Sequence, residues 1–230
     1  MTPARHAESI VIRFAGDSGD GVQLLGAQFA ESTALAGSDF STFPDFPAEI
    51  RAPVGTTFGV SAFQINLGEK RVATAGDAPD VLVAFNPAAL KVNLPLMPKG
   101  ALILLNTDEF NDRNFAKATI KADPRTTGEL SDFNVIEIPM KAQTLEATKD
   151  SGLNRRDAEQ CKNFWALGAI LWMFGRDRGF IETWLRKKFE KEPAVLAGNL
   201  AALAAGHAYA ETVELSAEIP HFEVGAAPMA

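Results

Sequence analysis

Residues 9–37 read SIVIRFAGDSGDGVQLLGAQFAESTALAG. Residues 10–15 are an apolar, β-branched run, the pattern of a buried strand. Three glycines, Gly16, Gly19 and Gly21, then fall within six residues. After them Val22, Leu25, Gly26, Phe29, Ala30 and Thr33 recur at helical spacing, and the pattern stops at Gly37. Strand, glycine turn, helix is the opening of a nucleotide-binding α/β unit. Glycine there permits a positive φ and lets a ligand approach the backbone. The helix start offers unpaired N–H groups and a partial positive charge.

The rest of the chain continues that rhythm. Residues 39–43 suit a short second strand. Pro44, Pro47 and Pro53, with Gly55 and Gly59, then argue for a long irregular loop over residues 38–59, ordered by Phe40, Phe43 and Phe46. Residues 59–67 alternate as a strand, with residues 70–75 as a hairpin partner. Buried strands follow at 80–85 and 101–105, and another strand at 134–139. A helix starts at Asn86-Pro87 and stops before Pro98-Lys99-Gly100, and residues 107–132 form a charged connection with one weak helix.

The last third is helical. Residues 156–174 are apolar around most of the circumference, so this helix faces a core or another protein. Shorter and longer helices follow at 180–189 and 193–212. The expected fold is α/β: a doubly wound, mostly parallel, Rossmann-like sheet with helices on both faces and a helical C-terminal third. Residues 1–8 read as an N-terminal arm, 9–213 as the domain, and 214–230 as a linker towards a following domain.

Composition narrows the function classes. A chain of 230 residues with net charge -7 suits one large α/β domain and argues against nucleic acid as a partner. Cys161 is the single cysteine, so no disulfide forms within the chain. With no signal-peptide pattern, this fits the reducing cytoplasm. No apolar run is long enough to span a bilayer, so no membrane partner is expected.

Among candidate sites the glycine turn is the strongest. It departs from the dinucleotide fingerprint because Ser18 stands at the third position, and Asp17 and Asp20 would repel a pyrophosphate. Either it is a tight turn without a ligand, or a cofactor meets its backbone and Ser18 while phosphates are neutralised elsewhere. Gly19-Asp20-Gly21 imitates the start of a thiamine-diphosphate magnesium motif, but the first asparagine downstream is Asn66, beyond a strand. His6, His207, His221 and Cys161 show no zinc or iron–sulfur spacing, so no metal site is expected, and no serine sits in a nucleophile elbow, so no catalytic residue is assigned. Cys161 reads as a packing residue. Arg51 is either a surface ion-pair partner or a phosphate clamp. Lys162 and Asn163 are either a solvated first turn or donors aimed at an anion.

The segments IRFAGDSGDG, FPDFPAEIRAP, GVSAFQI, DVLVAFNPAAL and KNFWALG, in this order, resemble the gamma-type domain of 2-oxoacid:ferredoxin oxidoreductases. They are nearest to the N-terminal part of the alpha subunit of the 2-oxoglutarate enzymes. The resemblance covers nearly the whole chain. It implies a coenzyme-A-contacting domain in an enzyme that makes acyl-CoA (here succinyl-CoA), CO2 and reduced ferredoxin. It implies thiamine diphosphate, Mg2+ and a [4Fe-4S] cluster in the full complex, none bound by this chain alone. The implied partners are the thiamine-pyrimidine domain of the same subunit, a cluster-bearing beta subunit and ferredoxin. Carried over, the site residues are Gly16, Asp17, Ser18, Gly19, Asp20, Gly21, Arg51, Lys162 and Asn163. Arg51 matches a basic residue that precedes a glycine pair in related enzymes, here Ala52-Pro53. The two acids suit pantetheine amides or adenine, with Arg51 and Lys162 for the phosphates. Alternatives are a stand-alone Rossmann-like nucleotide-binding module and a structural subunit that shields a partner's cofactor.

Overall fold

The computed structural model describes residues 5–47, 59–214 and 219–227. In chain order the elements are β1 (Arg5–His6), β2 (Ser9–Asp17), α1 (Val22–Leu35), β3 (Asp39–Asp45), β4 (Val60–Gly68), β5 (Val81–Ala84), α2 (Pro87–Asn93), β6 (Leu102–Asn106), α3 (Asp112–Lys117), β7 (Asn134–Ile138), α4 (Met140–Thr148), α5 (Arg155–Gln160), α6 (Lys162–Met173), α7 (Gly179–Lys188), α8 (Pro193–Glu214) and β8 (Phe222–Glu223).

Among the described residues six strands form one sheet in the order β3-β4-β2-β5-β6-β7. β2, β5, β6 and β7 run parallel, and β4 lies antiparallel between β2 and β3. The expected α/β class holds, with β2 in the sheet interior. Its period-two alternation gives each face its own core. Ile10, Ile12 and Phe14 join α1, α6 and α8 in the larger core, while Ala15 joins Leu82, Ala84 and α2 in the smaller one. Alanines on that second face let α2 lie close to the sheet.

Several expectations change. Residues 70–75 form no strand, because both edges of β4 are already occupied, by β2 on one side and β3 on the other. Side chains hold this segment instead: Gln64 Nε2 donates to the Ala75 and Gly76 carbonyls, and Asp39 Oδ2 accepts from Val72 N. β3 runs through Pro44, which an edge strand tolerates because a missing N–H costs nothing on an unpaired side. The helix expected over 156–174 is two helices that meet at Cys161, the first capped by Asn154, whose side chain accepts from Asp157 N. α4 was hidden in the sequence because MKAQTLEAT has almost no amphipathic period.

The apolar α6 is covered by the chain itself, with every residue buried but Lys162 and Trp172. The tail differs from a simple connector. β8 pairs in parallel with β1, and Ile219, Phe222 and Val224 are buried. The N-terminal arm is likewise tied down at Arg5–His6.

Candidate functional site

A cleft opens at the C-terminal edge of the sheet, where the turns after β2 and β5 face each other. This is where open α/β sheets bind ligands. Its walls are Asp17 and Asp20 from the first turn, Phe85 to Ala88 from the second, Glu109, Asn114 and Lys117 from the β6–α3 region, and Lys162 from α6. Its volume is about 110 Å³. That is room for a group of a few heavy atoms, given roughly 30 Å³ per liquid water.

The glycines build the turn in different ways. Gly21 takes φ 73° as the residue before α1, with no side-chain cap. A Cβ on it would stand 2.6 Å from Asn163 Nδ2, so the Asn163 amide packs on its backbone. Gly16 remains in the strand, and its missing Cβ makes room for Asp20: a Cβ there would lie 2.7 Å from Asp20 Oδ2. Gly19 has open space above it, and Ser18 is exposed at the tip.

The turn therefore draws Asp20 inward. Asp20 Oδ2 accepts from Asp17 N at 2.8 Å, and Asp20 Oδ1 pairs with Lys162 Nζ at 2.7 Å. Lys162 Nζ also sits 5.8 Å from the Phe85 ring centroid. Asn86 Nδ2 donates to Asp17 Oδ1 at 2.9 Å. Asp17 is exposed at the end of β2, yet the atoms packed around it in the cleft push its carboxyl above its ordinary value, first by partial loss of solvation and second through the neighbouring Asp20 charge. Asn86, Lys162 and Lys117 pull it back in part. Perturbed carboxyls in a cleft mark candidate sites.

The structure thus joins Gly16, Asp17, Asp20, Gly21, Lys162 and Asn163 in one place, with Ser18 and Gly19 on the rim. Arg51 lies outside the described residues. The Lys162 charge, read from sequence as a phosphate donor, is matched by Asp20 inside the protein. Asn86, Glu109, Asn114 and Lys117 were missed. The signal for Asn86 was available: an Asn-Pro pair directly after a buried parallel strand places the asparagine at a sheet edge.

Cys161 is buried, and burial, with the Asp157 charge, pushes its thiol up to about 11. The chemistry of a thiolate is therefore suppressed there. One cysteine cannot supply a four-thiolate cluster. Among the described residues no three His, Cys, Asp or Glu gather as a metal site, and no helix is long and apolar enough to cross a membrane.

Comparison with known proteins agrees with this architecture. The chain is 48% identical over 207 residues to the 2-oxoglutarate oxidoreductase subunit KorA of Mycobacterium tuberculosis, covering 90% of this chain and 32% of that one. The structure of the 2-oxoglutarate:ferredoxin oxidoreductase from Magnetococcus marinus, with 2-oxoglutarate, coenzyme A and succinyl-CoA bound, superposes with a TM-score of 0.71 at 27% identity. It covers 96% of this chain and 34% of that one. The keto/oxoacid ferredoxin oxidoreductase gamma subunit from Geobacter sulfurreducens shares the fold at TM-score 0.57 and 18% identity, covering 88% of this chain and 99% of that one. The chain thus spans about a third of the length of the first two relatives. Residues 11–209 match the family description pyruvate ferredoxin/flavodoxin oxidoreductase. The chain belongs to the pyruvate ferredoxin/flavodoxin oxidoreductase family.

Proposed function

We propose that this chain is the coenzyme-A-contacting domain of a 2-oxoglutarate:ferredoxin oxidoreductase. The overall reaction converts 2-oxoglutarate, coenzyme A and two oxidised ferredoxins into succinyl-CoA, CO2, two reduced ferredoxins and a proton. The observation that carries the reading is the cleft itself: a glycine turn, an acid pair and Lys162 meet at the ligand-binding edge of a sheet that superposes on a coenzyme-A-bound relative.

Within the cleft the chain binds and orients. Asp17 offers a carboxylate acceptor to an amide or amine N–H of coenzyme A. Asp20 holds Lys162 over Phe85, and that ammonium keeps further hydrogen-bond capacity for an anionic oxygen. Arg51 would supply the bidentate phosphate contact. Thiamine diphosphate, Mg2+ and the iron–sulfur cluster supply the carbanion and electron-transfer chemistry, and these groups belong to the thiamine-pyrimidine domain and a cluster-bearing beta subunit. The complex works in the cytoplasm with ferredoxin as acceptor. The chain alone is then inactive.

The test is kinetic. In the assembled enzyme, Arg51→Ala and Lys162→Ala should each weaken coenzyme A binding by about one to two decades, from roughly 1.5–3 kcal/mol per charge-assisted contact. Thiamine-dependent decarboxylation should change little. Calorimetry with nicotinamide nucleotides should show no binding. Unchanged KM for coenzyme A in both variants, or tight nicotinamide binding, rejects the proposal.

A further inference from the structure

Asn86 is 8% exposed and does two things at once. Its Oδ1 accepts from Ala89 N at 2.9 Å and so caps α2. Its Nδ2 donates to Asp17 Oδ1 at 2.9 Å and lies 3.5 Å from Asp20 Oδ2. The orientation of the amide is unambiguous, because one end faces an N–H donor and the other faces carboxylates. A single side chain thus fastens the turn after β5 to the turn after β2. Asn86 thus holds one oxygen of the Asp17 carboxyl, and Asp17 lines the cleft beside it.

We propose that Asn86 is a positioning residue of the cleft, which holds the Asp17 carboxylate in place for the bound ligand. The inference rests on the reading that this cleft takes coenzyme A. The groups that act on Asp17 are Asp20 on its own turn, Lys162 from α6, Lys117 from α3 and Asn86 ahead of α2, and Glu109 lines the same cleft. Asn86 is the neutral donor among them. It stabilises the ionised form of Asp17 against the neighbouring Asp20 charge. Ligand binding through an ionised Asp17 weakens as the solution is acidified through its titration.

Two substitutions separate the tie from the cap. Serine and aspartate cap helices about as well as asparagine, so Asn86→Ser and Asn86→Asp keep α2 anchored. Neither keeps the amide donor. Asn86→Asp also adds a third carboxylate to the turn pair. Coenzyme A affinity is measured by calorimetry from about pH 5 to about pH 8 on the assembled enzyme, beside thermal melting. Asn86→Ser should bind about tenfold more weakly with melting close to wild type. Asn86→Asp should bind more weakly still, and its acid fall-off should move to higher pH. Wild-type affinity in both variants, or a loss matched by a collapse in melting with no shift of the pH profile, overturns the inference. Asp17→Asn keeps the two failures apart. If Asp17→Asn binds like wild type, Asp17 is not the contact and the inference falls while the cleft stands. If the wild-type enzyme shows no coenzyme A binding that Lys162→Ala or Asp17→Asn alters, the reading of the cleft falls first.

Discussion

Gly168 of α6 and Gly206 of α8 are reciprocal backbone contacts. A Cβ on Gly168 would overlap the Leu203 carbonyl oxygen, and a Cβ on Gly206 would overlap the Trp165 carbonyl oxygen. Each helix offers a bare backbone where the other needs space. The two helices thereby bring Trp165 against Tyr209, with ring centroids 5.2 Å apart. Gly168→Ala or Gly206→Ala must push the helices apart. Overpacking of this kind costs about 1–3 kcal/mol or more, and a chain of this size loses about 2–4 °C in Tm per kcal/mol. Each variant should melt several degrees lower by circular dichroism. Melting equal to wild type would show that the helices do not touch here.

Asp17 gives stability a pH dependence of predictable sign. Its folded carboxyl titrates above the unfolded value, 3.8, because partial loss of solvation and Asp20 disfavour the charge, and solvent screening at this exposed residue keeps the effect small. Between the two values the folded chain holds the proton more often than the unfolded chain. Stability from this group therefore falls as pH rises through that window. Asp17→Asn should raise Tm slightly at neutral pH and give no gain below the ordinary carboxylate range. Melting from about pH 3.5 to about pH 7.5 measures it. A constant difference across that range would assign the effect to something other than titration.

Arg13 is an arginine at 6% exposure inside β2. Its Nε donates to Asn93 Oδ1, Nη1 to Gln64 Oε1 and Nη2 to Asp45 Oδ2. Gln23 Nε2 reaches the same corner, donating to Ser61 Oγ and the Ala62 carbonyl. Arg13→Met leaves buried acceptors without a donor, at a cost of about 3 kcal/mol. Tm should fall by about 6–12 °C. Arg13→Lys should recover part of it, since an ammonium lacks the planar fork. Full recovery by lysine would mean that only charge matters at this position.

The Cys161 thiol, held near 11, should resist alkylation. At pH 8 its thiolate fraction is about a thousandth, and the sulfur is buried besides. Iodoacetamide at that pH should label the chain quickly in denaturant and barely at all when folded, read by mass spectrometry. Fast labelling of the folded chain would show that α5 and α6 open at their junction.

Much of this protein was written in short-range pattern. Residues 9–37 announce β2, its turn and α1 because strand and helix periods, and the glycines between them, are local properties. The apolar runs at β5 and β6 likewise announce a buried parallel sheet. The glycine turn and Lys162-Asn163 stand as candidate site residues by resemblance, and the fold brings them next to one another.

Other features had no local signature. The break at Cys161 interrupts a continuous apolar pattern, and α4 has almost none. The antiparallel place of β4 between β2 and β3 was fixed by which edges were free, a matter of the whole sheet.

The sequence by itself determined most of the strands and helices and the glycine turn between β2 and α1. Only the tertiary structure decided the partners: Asp20 for Lys162, Asp17 for Asn86 across 69 residues, and the mutual approach of Gly168 and Gly206. The physical reason is range. Backbone periodicity is set by neighbours within one turn or one pleat. The charge state and reach of a side chain depend on groups that chain folding brings within a few ångströms from any distance along the sequence.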